Sequence, residues 1–260
     1  MQFQETVWEH YHHQGRSMPW RDEPTMYHVL VSEIMLQQTQ VERVRTKYAQ
    51  FMERFPDFDA LAQASLAEVL VAWQGLGYNR RAKFLHEAAK LIASLGEPNT
   101  QIELQKLPGI GANTAAAIMN YVYEQPTPFV ETNIRTVYFH HFFPNGEVVS
   151  DKQVLDLVAQ TMDSDHPREW FWALMDYGSW LKKQAGARLV QSKHYKKQSP
   201  LAGSVRQLRG ELLRFLMPGA RSVDELRARY GSDERFERAL SGLRDDGLVA
   251  ITGTLVHLTK

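Results

Sequence analysis

LPGIGANT, at residues 107–114, lies near the middle of a 260-residue chain, with helix-forming runs on either side. Upstream, residues 101–106 (QIELQK) suit one or two helical turns. Downstream, residues 112–123 (ANTAAAIMNYVY) make a small-residue helix with an apolar face. Proline and two glycines between them mark a tight turn, so the local reading is helix, glycine turn, helix. Such a turn leaves the first backbone N–H groups of the second helix outside its own ladder, which suits an anion such as phosphate. The same eight residues also suit a plain helix–helix corner. Two further stretches tip the balance toward a ligand: VETNIRTV at 130–137, a carboxylate followed by a helix start, and SEIMLQQTQ at 32–40.

The flanking chain reads as helices. Residues 2–13 form a first helix, and residues 15–24 a loop carrying Pro19, Trp20 and Arg21. Residues 27–40 place Val29, Val31, Ile34, Met35 and Leu36 as a buried helix would, and residues 41–55 continue as an amphipathic helix ending at Pro56. Two short helices fill residues 57–76, with Ser65 as a cap. Residues 80–95, 133–143, 151–162 and 167–181 complete the helical set. Alternation with period two is confined to residues 248–258 around Gly253, a hairpin signature. The expected fold class is therefore mainly α.

Lys plus Arg and Asp plus Glu balance at 30 each, so bulk charge gives no vote for nucleic acid. The distribution does: residues 182–214 hold nine basic side chains, Lys193, Lys196, Lys197 and Arg206 among them, against the single acid Glu211. Polarity of this kind suits a phosphate-facing surface, or a solvated linker around Ser199 and Pro200. Cysteine is absent, which excludes disulfides and any thiolate-held zinc or iron–sulfur site. The first residues lack the basic lead and apolar segment of a signal peptide, and no run is apolar and long enough to span a membrane. The expectation is a soluble, cytoplasmic protein.

Five motifs in order resemble the helix-hairpin-helix DNA glycosylases, nearest the branch that acts on mispaired adenine: PWR at 19–21, SEIMLQQTQ, GLGYNRRA at 75–82, LPGIG and ETNIRTV. The resemblance runs from about residue 8 to about residue 177. It implies a two-lobed helical core over residues 1–197 with its hairpin at 101–123. It also implies a double-stranded DNA partner carrying a mispaired or damaged base, and a role in base excision repair. The hairpin residues Gly109, Gly111, Ala112 and Thr114 then meet a DNA phosphate, and a monovalent cation could sit there. No other cofactor is expected.

The resemblance also implies roles. Glu33, on an apolar helix that raises a carboxyl's pKa, protonates the departing purine. Glu131 stands where the family has Asp and stabilises the cationic sugar, with Asn133 orienting it. Its extra methylene raises the question of a retuned pocket. Asn113 stands where the strand-nicking relatives have a nucleophilic Lys, so hydrolysis by water without a Schiff base is expected. Gln37, Gln38 and Tyr78 enter the duplex as the base is extruded. Arg80, Arg81 and Lys193 meet phosphates, and Arg21 supports the pocket.

Two family features are missing from the sequence. The four-cysteine cluster expected after Gly178 is replaced by GSWLKKQAGARLVQSKHYKKQ, as in a clusterless subtype, and no domain that reads 8-oxoguanine is seen. Residues 198–260 instead read as three helices and a hairpin, a winged-helix arrangement. Such a domain suits DNA or a protein contact. The reading is a monofunctional glycosylase for adenine or another mispaired purine. Its alternatives are a glycosylase for a different base, or a DNA-binding protein that has lost catalysis.

Overall fold

The computed structural model describes residues 2–186, 188, 191–193 and 200–259. Lys196, Lys197 and Ser199, part of the basic run, lie outside the described residues. Two compact units account for the chain: residues 1–30 with 98–197, and residues 31–97 with 198–260.

The first unit is built on the helix Pro167–Ala185, whose first position is proline and whose interior buries Trp170, Phe171, Leu174 and Tyr177. It packs against the helices Gln2–Gln14, Ala112–Tyr121 and Thr132–Phe142. One contact is unusually close: a Cβ added at Gly178 would stand 2.2 Å from the carbonyl oxygen of Asn133. Only glycine lets these two backbones meet. Phe129 and Phe171 stack at 4.6 Å between ring centres, and Trp8 donates to Asp163 at 3.2 Å. The stretch expected to be a loop holds a short helix, Pro19–Asp22, because proline at its start already has the helical φ.

In the second unit, Val41–Arg54, Phe58–Gln63, Leu66–Ala72 and Arg80–Leu95 enclose Phe51, Leu61, Trp73, Leu85 and Ala88. Ser65 caps its helix as expected, in a reciprocal box with Glu68. The buried helix expected at 27–40 is shorter, Met26–Leu36. It stops because Arg81 takes the carbonyls that would continue it, as described below. Residues 204–258 bring Val205–Leu216, Val223–Tyr230 and Glu234–Asp245, capped by Ser204, Ser222 and Asp233. The strands Val249–Thr252 and Leu255–Leu258 pair antiparallel, and Gly253, at φ +60°, turns between them. The sequence missed a two-residue strand, Arg221–Ser222, which adds to Leu255–Leu258 as a third strand. Among the described residues no helix is long and apolar enough to cross a membrane.

Candidate active site

The hairpin forms as the sequence indicates. Gln101–Leu104 is one helical turn, and Gly109 takes φ +77°, a conformation open to glycine. Ile110 is buried and anchors the turn, while Gly109, Gly111 and Ala112 are exposed. The helix Ala112–Tyr121 begins at Gly111 with no side-chain cap, and its first internal bond runs from Ala115 N to Gly111 O. Gly111 has an ordinary φ of −86°, and a Cβ added there would meet nothing within 4 Å. The fold does not demand a glycine at 111. An incoming anion approaching the bare first turn would.

Glu131 caps the helix Thr132–Phe142. Its Oε1 accepts from Asn133 N at 2.5 Å and from Ile134 N at 3.0 Å. Its Oε2 takes part in none of the hydrogen bonds found among the described residues, so it is the oxygen available to a ligand. Burial pushes the carboxyl pKa above the usual Glu range, against the two backbone N–H groups and the charges of Arg135 and Lys182, which pull it down. Asn113 Nδ2 donates to Val130 O at 2.7 Å, tying the hairpin helix to the residue before Glu131. The side chain of Asn133 lies beside them, with Nδ2 3.9 Å from the Met175 sulfur and a buried Oδ1 that has no hydrogen-bond partner among the described residues. The structure thus joins Asn113, Glu131 and Asn133 in the first unit.

Glu33, Gln37, Gln38 and Tyr78 belong to the second unit. Glu33 is half-buried on Met26–Leu36, next to the buried Ser32, Ile34 and Met35. Gln38 and Tyr78 share a property: both are non-glycine residues with positive φ, +56° and +48°. Such a backbone costs on the order of 1–3 kcal/mol and persists where surrounding structure holds it.

Arg81 supplies that hold. Its NH1 donates to Ile34 O, Met35 O and Gln37 O at 2.6, 3.0 and 2.5 Å. Its NH2 donates to Thr39 Oγ1, Leu76 O and Gly77 O at 3.0, 3.2 and 3.1 Å. One guanidinium therefore ends the Glu33 helix and fastens both the Gln38 and the Tyr78 turns. Burial pulls its pKa down to about 10, with Tyr78 opposing, and it stays charged at neutral pH. The expectation that Arg81 meets a phosphate is corrected: it is buried and bonded to its own chain.

Arg21 is likewise bonded within its own chain. Its NH1 and NH2 form a fork on Asp176, each at 2.9 Å, and its guanidinium lies 5.3 Å from the Trp172 ring. Arg16 joins the same carboxylate. Burial alone would raise the Asp176 pKa, but Arg21 and Arg16 outweigh it and hold the carboxyl below its usual range. Trp20 is buried in the core. Arg80 is exposed but leans 3.4 Å from Asp246, and Lys193 is exposed beside the bridge of Ser192 to Val149. The sequence reading missed the Arg16–Asp176–Arg21 cluster, since nothing links residues 155 or more positions apart.

Residues 31–160 match the model of the HhH-GPD superfamily of base excision DNA repair proteins, and the chain belongs to that superfamily. Within it, the chain is 37% identical to the adenine DNA glycosylase of Mycolicibacterium smegmatis over 93% of its own length and 90% of that protein's. It is 32% identical to the adenine DNA glycosylase of Mycobacterium tuberculosis over 93% and 88%. The one from Buchnera aphidicola subsp. Baizongia pistaciae is 35% identical over 68% of this chain and 52% of its own length. Among solved structures, a thermostable thymine-DNA glycosylase shares the fold, with a TM-score of 0.61 at 24% identity over 68% of this chain and 84% of that one. An endonuclease III–DNA covalent intermediate does so with 0.57 at 18% over 76% and 89%. With no cysteine in the chain, thiolate ligands for an iron–sulfur cluster are missing.

Proposed function

We propose that this protein is a monofunctional DNA N-glycosylase that removes adenine, or another mispaired purine, from double-stranded DNA by hydrolysis. Family membership and likeness to adenine DNA glycosylases along nearly the whole chain support the reaction class. The carrying observation is Glu131: one oxygen is pinned by two N–H groups, the other has no hydrogen bond among the described residues, and both lie one residue from the bond that Asn113 makes.

In the proposed sequence Glu33 donates a proton to a ring nitrogen of the extruded base. The N-glycosidic bond then breaks, with its electron pair leaving on the base. The deoxyribose carries the positive charge, which Glu131 Oε2 stabilises, and water adds to complete an abasic site. Asn113 has no amine to attack the sugar, and its amide is engaged with Val130 O. Gln37, Gln38 and Tyr78 fill the space the base leaves, and the uncapped helix start at Gly111 holds a phosphate, with room for a monovalent cation. Residues 200–259 form a winged-helix module, and the protein works as a cytoplasmic monomer on the nucleoid.

A panel of mispaired and lesion duplexes, treated with alkali after reaction, tests this reading. The expected product is an uncut strand that alkali cleaves at the purine's position. Cleavage without alkali, or protein trapped on DNA by borohydride as a major product, would contradict the monofunctional reaction.

A further inference from the structure

The C-terminal residues reach the tyrosine that the sequence marks as a wedge. Arg206, in the first turn of Val205–Leu216, donates from NH1 to the Tyr78 hydroxyl at 2.9 Å, with its guanidinium 5.6 Å from the ring centre. Arg81 lies at the same 5.6 Å from that ring. Tyr78 is thus gripped twice, by a buried arginine from the helix that follows it and by a second from a distant stretch. Asp246 fastens that stretch nearby: it pairs with Arg209 and Arg80, and its backbone oxygen accepts from Lys83 at 2.9 Å. Gly247 follows at φ +65°, a conformation that favours glycine.

We propose that Arg206 is a positioning residue for Tyr78, and that the C-terminal module is thereby a working part of the wedge that enters the duplex. A planar guanidinium can hold a phenol by its hydroxyl and its π-face together. A side chain fixed before binding gives up less rotamer freedom when it fills the hole left by the base. This inference rests on the glycosylase reading above. It differs from a phosphate contact, in which Arg206 would act on any duplex and independently of the Tyr78 hydroxyl.

The full chain is tested by anisotropy on a duplex holding a stable tetrahydrofuran abasic site and on the same duplex undamaged. The variants are Arg206→Ala, Arg206→Lys, Tyr78→Phe and the Arg206→Ala/Tyr78→Phe pair. Arg206→Ala should lower the preference for the abasic duplex about tenfold, equivalent to ~1.4 kcal/mol, with little change on undamaged DNA. Tyr78→Phe should do much the same, the double variant should lose no more, and Arg206→Lys should recover part. Additive losses, an equal drop on both duplexes, or no change would each overturn the proposal. If wild type prefers the abasic duplex yet releases no base from any mispair, the glycosylase reading fails while the Arg206 outcome still stands.

Discussion

Replacing Glu131 by Gln keeps the shape of the cap and removes its charge. The amide oxygen of Gln can still accept from Asn133 N and Ile134 N, the two bonds that Oε1 makes. The cap should therefore weaken by only about 1 kcal/mol, the difference between a charge-assisted and a neutral hydrogen bond. The chemical step loses more. A unit charge about 4 Å from the developing sugar cation is worth roughly 4 kcal/mol at an effective dielectric near 20. That corresponds to about a thousandfold in rate. Glu131→Asp retains the charge but withdraws the oxygens by about one C–C bond, ~1.5 Å. At about 5.5 Å the same arithmetic leaves roughly 3 kcal/mol, so the rate should fall fivefold to tenfold, about.

Single-turnover base release, followed against pH with melting curves alongside, reads these effects. The raised Glu131 pKa sets the sign. Reaction needs the ionised form, so the acid limb should rise through a pKa above the usual ~4.3 of Glu. For stability the direction reverses: a carboxyl raised on folding contributes fully below its unfolded pKa and loses that contribution as pH climbs through the folded value. Above that value relief of the buried charge should offset the weaker cap bonds, so Glu131→Gln should unfold no more easily than wild type. A Gln variant within tenfold of wild-type rate would refute the reasoning, because the stabilising charge would then lie elsewhere. A rate for Asp equal to or above wild type would show a pocket still fitted to the shorter residue.

Gly111→Asp should supply the missing N-cap and raise stability by roughly 0.3–1 kcal/mol, while placing a charge where a phosphate is expected. Its duplex affinity at low salt should fall about tenfold or more below that of Gly111→Asn, and equal affinities would remove the anion site. Arg81→Met should leave the carbonyls of Ile34, Met35, Gln37, Leu76 and Gly77 without their donor. A loss of about 3–5 kcal/mol is expected, lowering Tm by about 8–15 °C, and a drop under about 2 °C would refute its role as the clamp.

The helical core was legible because its signals are local: apolar spacing, Ser65 and Asp233 as caps, glycine at 109 and 253. Arg81 was misread, although its spacing carries a hint. Leu85, Ala88 and Ile92 lie four, seven and eleven residues on, so Arg81 shares the buried face of Arg80–Leu95, and Arg80 does not. A basic pair in a glycine-rich turn invites a phosphate, and helical phase was the better guide. The end of the Glu33 helix at Leu36 depends on that distant guanidinium, and no residue within 27–40 announces it. Arg206 on Tyr78 and the fork of Arg21 on Asp176 depend on tertiary pairing in the same way. The role of Glu131 as cap was closer to hand, since an acid just before a helix start is a local signal.

The most direct test of the central claim is single-turnover release of free adenine from an adenine-mispair duplex by wild type and Glu33→Gln, with duplex affinity measured on both. Wild type should release the base and leave an unbroken abasic strand. Glu33→Gln should bind the duplex as tightly and release none on the same timescale. Undiminished release by Glu33→Gln would contradict the account, since the proton on the leaving base would then come from another group.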